Sequence, residues 1–251
     1  VKRRPRTVHR SPERRYRTES LTRSGEVAFQ AAVGQSDLWI VARERLRDPA
    51  MEALHRFRGQ LTSYLTLHPE FGASLSPVTP LSGAPQLIRG MAEAGRICGV
   101  GPMASVAGTI AQAVAEELAR LSPDVLVENG GDIYMISTRE RTVALLADPA
   151  SGSRLGLRID PHAFPLAVCS SSALIGHSLS LGQGELVTVL GKNGALADAA
   201  ATALCNMLRR AEDVDRVLET AQGWAGNGVC GVFAQGGGKV AAWGDVELVT
   251  L

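Results

Sequence analysis

Residues 124–137 read DVLVENGGDIYMIS, two apolar runs joined through a polar turn centred on Gly130 and Gly131. Paired glycines supply positive φ at no steric cost, so the chain reverses in a short loop and the two runs pair as antiparallel strands. The same grammar recurs on either side. EVAFQAAVGQSDLWIVA at 26–42 holds two β-rich runs around Gly34, Gln35, Ser36 and Asp37, and CGVFAQGGGKVAAWGDVELV at 230–249 reads as a glycine-turned hairpin. TVALLADP at 142–149 and short runs near 155–160, 164–169 and 185–191 supply further strands.

Helical signals fall between these strands. Asp48 followed by Pro49 is a good helix start, and Met51, Leu54, Phe57, Leu61, Tyr64 and Leu65 keep helical spacing until Pro69. Four prolines at 69, 77, 80 and 85 predict an irregular crossing, followed by a helix to about Ile97. GVGPMASVAGTIAQAVAEEL at 99–118 opens as a glycine turn and becomes a helix of small residues, suited to tight packing on a sheet. An alanine-rich helix spans about 195–210 and a shorter one about 213–223. Strands and helices do not alternate as βαβ, so the chain is predicted to be α+β with a largely antiparallel sheet.

The 251 residues are 20% charged and 45% hydrophobic, ordinary for a globular enzyme, and the formal net charge is +1. That near-zero balance hides an asymmetry. Residues 1–17 carry eight Lys or Arg against the single Glu13 and read as a basic, disordered arm that folding does not need, ahead of a single domain at 18–251. The arm has no interleaved aromatics and no recognition motif, which argues against a nucleic-acid partner. No run approaches the ~20 apolar residues of a membrane span, and no apolar stretch follows the arginines as in a secretory signal, so a cytoplasmic location is expected. Cys98, Cys169, Cys205 and Cys230 stand singly, without a CxxC pair, and read as small buried hydrophobes.

Four stretches have compositions that could carry chemistry. In GVGPMASVAGTIA, a helix N-terminus after a glycine turn can hold an anion on its N–H groups, or it can simply be a tight turn. ENGGDIY sets Glu128, Asn129 and Asp132 around bare glycine backbone, which a hairpin needs and a ligand could also meet. CSSSALIGHSLS offers hydroxyls at Ser170, Ser171, Ser172, Ser178 and Ser180 with His177 among them, but no GxSxG elbow. In ADAAATA, Asp198 and Thr202 share one helical face, which suits Mg²⁺ with a phosphate; the alternative is that Asp198 caps or salt-bridges near the start of its own helix.

Taken in order, GVGPMASVAGTIA, VENGGDIY, SSSALIGHSLS and LADAAATALCN resemble the successive blocks of the ApbE-type flavin transferases, most closely an uncharacterised ApbE-like branch. The likeness covers about 25–250. It implies a T-fold-related, ApbE-like α+β architecture of largely antiparallel sheets packed with helices. It implies a metal site for Mg²⁺ at Asp198, Thr202 and the Ala111 carbonyl, a flavin-nucleotide surface at Gly130, Gly131, Ser171 and Ser172, and a catalytic base at His177. The reaction implied is transfer of the FMN half of FAD to a threonine of an acceptor protein, with release of AMP.

Two departures from that pattern bear on function. The transferases carry Ala-Lys-Gly where this chain has Ala111, Gln112 and Ala113, so one positive charge is missing. They also place Ile-Asp-Pro directly after the histidine, whereas His177 precedes SLSLG. Two functions therefore stand side by side, Mg²⁺-dependent flavin-nucleotide chemistry and a non-catalytic module binding a flavin or similar heterocycle. Small-residue helices and glycine-rich hairpins leave room for a homodimer.

Overall fold

The computed structural model describes residues 23–145, 155–173 and 185–251. The basic arm, the end of the 142–149 run, and His177, Ser178 and Ser180 lie outside the described residues.

The expected hairpins are present. Strands β1 (Val27–Val33) and β2 (Ser36–Ala42) pair antiparallel, as do β3 (Val125–Asn129) and β4 (Asp132–Ile136). Gly130 and Gly131 sit at φ 71° and 115°, the left-handed conformation that a two-residue hairpin loop demands at both positions. With β7 (Leu166–Ser171), β8 (Leu186–Gly191), β9 (Val229–Gly236) and β10 (Lys239–Gly244) they form an eight-stranded sheet in the order β1-β2-β3-β4-β7-β8-β9-β10. Every neighbouring pair in it is antiparallel.

The closing segment differs from the simple hairpin that its sequence suggests. After β10 the chain bends at Gly244, φ 78°, and a third strand, β11 (Glu247–Thr250), joins β5 (Arg141–Leu145) and β6 (Leu155–Ile159) in a separate sheet ordered β11-β6-β5. A Cβ on Gly244 would overlap the Cys230 carbonyl oxygen, so this corner requires glycine. The crossing from 69 to 85 also begins with a short helix, α2 (Pro69–Ala73), because Pro69 is as good a helix start as it is an end.

The other helices are α1 (Arg47–Leu67), α3 (Gln86–Cys98), α4 (Val106–Leu118), α5 (Gly194–Met207) and α6 (Asp213–Gly223). They cover one face of the large sheet, with α4 over β3 and β4 and α5 over β7 and β8. The small sheet covers the opposite face, where Leu126, Met135, Val168 and Phe233 meet Val143, Leu157 and Ile159. Central strands are thus buried on both sides, which explains why β3, all of whose residues are buried, shows no polar alternation. Among the described residues, no single helix is long and apolar enough to cross a membrane. The four cysteines are free, and Cys98, Cys169 and Cys205 are buried, as expected of small hydrophobes.

Candidate functional site

The site forms where α4 crosses α5 above β4 and β7. Its closeness comes from residues without side chains. A Cβ on Gly108 would overlap the Gly194 carbonyl oxygen, and one on Gly194 would stand 2.5 Å from the Gly108 carbonyl oxygen, so the helices meet backbone to backbone. Alanines at 195, 197, 199, 200, 201 and 203 let the rest of α5 lie equally deep, all of them buried.

Asp198 projects into this crossing. It does not cap its own helix, since Asn193 does so by accepting the Leu196 N–H at 2.9 Å. Asp198 Oδ2 instead accepts the Gly108 N–H at 2.8 Å, and the Ala107 N–H also donates to the carboxylate. These are first-turn donors of α4, whose N-cap residue Ser105 offers no side-chain bond. The helix N-terminus that the glycine-rich turn suggested as an anion site is therefore occupied by the chain's own carboxylate. Asn129 reinforces the corner by donating from Nδ2 to the Ala107 carbonyl at 3.1 Å.

A second carboxylate, Asp132, faces the same space from the first residue of β4. Its Oδ1 accepts the Ser170 N–H at 3.2 Å, and the Cys169 thiol is its other donor. Burial raises the pKa values of both carboxyls well above the usual range; the Asp132 charge raises Asp198 further, and their backbone donors only partly offset this. The Cys169 thiol is pushed up by burial and by both carboxylates, which disfavours its thiolate. Among the described residues, no guanidinium or ammonium lies in ion-pair range of Asp132 or Asp198.

The other residues singled out by sequence fall around this centre. Thr202 is half-buried one turn beyond Asp198 on α5. Ala111 is fully buried one turn beyond the two α4 residues that touch Asp198, and its carbonyl lies within the regular ladder of α4. Gly130 and Gly131 form an open turn, with nothing within 4 Å of where a Cβ would stand. The Gly131 N–H is held by Glu128 Oε1 at 3.0 Å. Ser172 Oγ donates to the Glu185 carbonyl at 2.5 Å, and Ser171 continues β7 opposite Val187. His177 is outside the described residues.

Asp132 and Gln112 carry more of the site than the sequence indicated. Gln112 accepts the Gly194 N–H at 2.7 Å and donates to Glu116 at 2.7 Å. No group of three or more His, Cys, Asp or Glu among the described residues could hold a metal alone. A cation here would complete its shell from water, hydroxyl and a phosphate ligand, which is the habit of Mg²⁺. A recess of about 730 Å³ lined by Asn206, Arg209, Arg210 and Arg216 opens past the end of α5. It lies some two turns of α5, roughly 12 Å, from Asp198, and is distinct from the crossing.

Residues 19–223 match the family model described as AbpE bacteria. The chain belongs to this ApbE-like family. It is 38% identical over 216 residues to a UPF0280 protein of Methanospirillum hungatei, covering 84% of both chains. It is 40% identical over 200 residues to one of Methanosphaerula palustris, covering 78% of this chain and 81% of that protein. The fold is similar to the flavin transferase ApbE from Vibrio cholerae, with a TM-score of 0.52 at 13% identity over 87% of this chain and 96% of the other. The apo flavinyl transferase ApbE of Pseudomonas stutzeri gives 0.51 at 14% identity, over 87% and 94%. The α+β, largely antiparallel architecture read from the hairpins is thus the fold of these transferases.

Proposed function

We propose that the α4–α5 crossing binds a divalent cation, Mg²⁺ by the character of its donors, together with the pyrophosphate of a flavin nucleotide. One observation carries this reading: two buried carboxylates, Asp132 and Asp198, lie within electrostatic reach of one another, Glu128 adds to the negative charge at Asp132, and the donors bonded to the pair are neutral. Burying such a pair is costly unless protons or a cation neutralise it. Asp198 and Thr202 would hold the cation, with Asp132 as the second negative charge and the Ala111 carbonyl on the adjacent turn. The open glycine turn at Gly130 and Gly131, and Ser171 and Ser172 at the end of β7, offer backbone and hydroxyls to the rest of the nucleotide. Bound Mg²⁺ would neutralise charge on the pyrophosphate and polarise its phosphorus.

The reaction that fits is FMN transfer from FAD to a threonine of an acceptor protein. The threonine oxygen forms a bond to the FMN phosphorus, the bond from that phosphorus to the bridging oxygen breaks, and AMP leaves with that oxygen. The hydroxyl proton passes to a base, a role proposed for His177 from the family resemblance. Support for this assignment comes from the flavin transferases that share the fold and from the motif resemblance.

A second reading, flavin binding without transfer, is favoured by Gln112. Its amide is committed to Gly194 and Glu116, so α4 presents no positive charge where the transferases carry lysine. Purified protein incubated with FAD, Mg²⁺ and a cell extract separates the two. Transfer predicts AMP release and a covalently flavinylated protein, both lost in Asp198→Asn. Binding alone predicts a change in FAD fluorescence without AMP. No fluorescence response in either protein would reject the flavin reading.

A further inference from the structure

The helices that frame the carboxylate pair hold one another through a reciprocal pair of hydrogen bonds. Asp198 on α5 accepts from Gly108 on α4, and Gln112 on α4 accepts from Gly194 on α5. Glycine and acceptor are four residues apart in each helix, hence one turn apart on one face. The pairing of 108 with 198 and of 112 with 194 means that the helices run antiparallel past this contact. Between the two bonds the backbones touch, because neither Gly108 nor Gly194 leaves space for a Cβ.

The orientation of the Gln112 amide follows from its partners. An N–H can only donate, so Gly194 must meet Oε1, and Nε2 then faces a carboxylate oxygen of Glu116. Gly194 is the first residue of α5, and its N–H has no partner within the helix. Asn193 satisfies Leu196 and Gln112 satisfies Gly194, so the first turn of α5 is held from both sides. Asp198 stands one turn further along that held segment.

We propose that Gln112 is a positioning residue for the cation site: by pinning the first turn of α5 to α4 it fixes where the Asp198 carboxylate stands and so sets the cation affinity. The inference rests on the cation reading of Asp198 given above. The Asp198 carboxylate has about four acceptor positions, and the Gly108 and Ala107 N–H groups take two of them. The remaining positions must point at the ion, and Mg²⁺ demands near-ideal octahedral geometry, so a small rotation of α5 is felt directly. An outer group that orients a ligand in this way typically contributes about 10-fold to 100-fold in metal affinity.

Titration with Mn²⁺ alone, the free ion being counted by its electron paramagnetic resonance signal, tests this on the full chain. Gln112→Met keeps the length and removes the acceptor; it should weaken Mn²⁺ binding by about tenfold and speed hydrogen exchange at the Gly194 amide. Gln112→Glu combined with Glu116→Gln keeps an acceptor for Gly194 and a donor–acceptor pair along α4, and should bind Mn²⁺ at least as tightly as the native protein. Unchanged Mn²⁺ affinity in Gln112→Met, alongside loss of binding in Asp198→Asn, would overturn the positioning role and leave the cation site standing. Native-like binding in Asp198→Asn, or no Mn²⁺ binding by the native protein, would instead remove the cation site itself. If Gln112→Met does not fold, Gln112→Asn, whose amide is one carbon too short to reach Gly194, gives the same reading.

Discussion

The large sheet buries carboxylates in two places, and the chain treats them in opposite ways. At the start of β3, the Asp124 side chain is fully buried and surrounded by positive charge. Arg43 bonds it directly, Arg139 and Arg141 lie within 3.9 Å, and Arg141 in turn pairs with Glu26 at 2.5 Å. The Thr138 N–H and the hydroxyls of Thr138 and Ser137 complete its shell. Burial alone would raise its pKa, but these donors hold it down to about 2. Asp132 and Asp198 have neutral donors only, and burial drives them the other way. Where the protein supplies the counter-cation the carboxylate is a fastening; where it does not, the carboxylates are the place proposed above for a cation from outside.

The largest expected effect lies at the fastening. Asp124→Asn keeps the shape but removes the carboxylate that Arg43 and Arg139 pair with and leaves Arg141 with Glu26 alone, which should cost about 3 kcal/mol of stability. A loss of less than a third of that in the unfolding free energy measured with urea would mean that solvent screens the arginines and would dissolve the contrast with the α4–α5 crossing.

A smaller effect comes from pH at the same residue. The Asp124 pKa is about 2 in the folded protein, against an ordinary 3.8. Between those values the unfolded chain binds the proton more readily, so stability falls as the solution is acidified through that window. The stabilisation is complete above about pH 4 and amounts to about 2 kcal/mol. Thermal melts of native protein and Asp124→Asn should therefore converge between about pH 4 and pH 2. Parallel curves would show that Asp124 contributes no linkage.

The contrast was only partly legible beforehand. Local features read well: the glycines of the β3–β4 turn, the helical spacing of α1 and the shared face of Asp198 and Thr202 all follow from nearest-neighbour geometry. What escaped depends on contacts far apart in sequence. The Gln112–Gly194 bond joins residues 82 apart, and the Arg141–Glu26 pair spans 115. Nothing in the composition of either segment announces such a partner. Asp132 reads as ordinary hairpin material, because its meeting with Asp198 is created by the packing of α5 on β7. Strand β11 was hidden for a related reason: Glu247–Thr250 has an unremarkable strand pattern, and only the bend at Gly244 sends it to the second sheet. The ApbE-like family and fold are legible through motif order, which records that packing indirectly.

The smallest effect is the sharpest test of the difference, because its sign should reverse with the ion. Asp132→Asn keeps a carbonyl oxygen for the Ser170 N–H while removing one of two facing charges. Without divalent cation, and above about pH 7 where Asp132 is ionised, it should raise stability by about 1 kcal/mol, since an uncompensated buried charge costs more than a hydrogen-bonded amide. With Mg²⁺ and FAD present the native protein gains ligand-linked stability that the variant gains less of, so the order of their melting temperatures should invert. Differential scanning fluorimetry with and without Mg²⁺ and FAD reads both arms on one sample. A loss of stability in the cation-free arm, like that expected for Asp124→Asn, would mean that Asp132 is a fastening too, with its compensation supplied by the neutral donors alone.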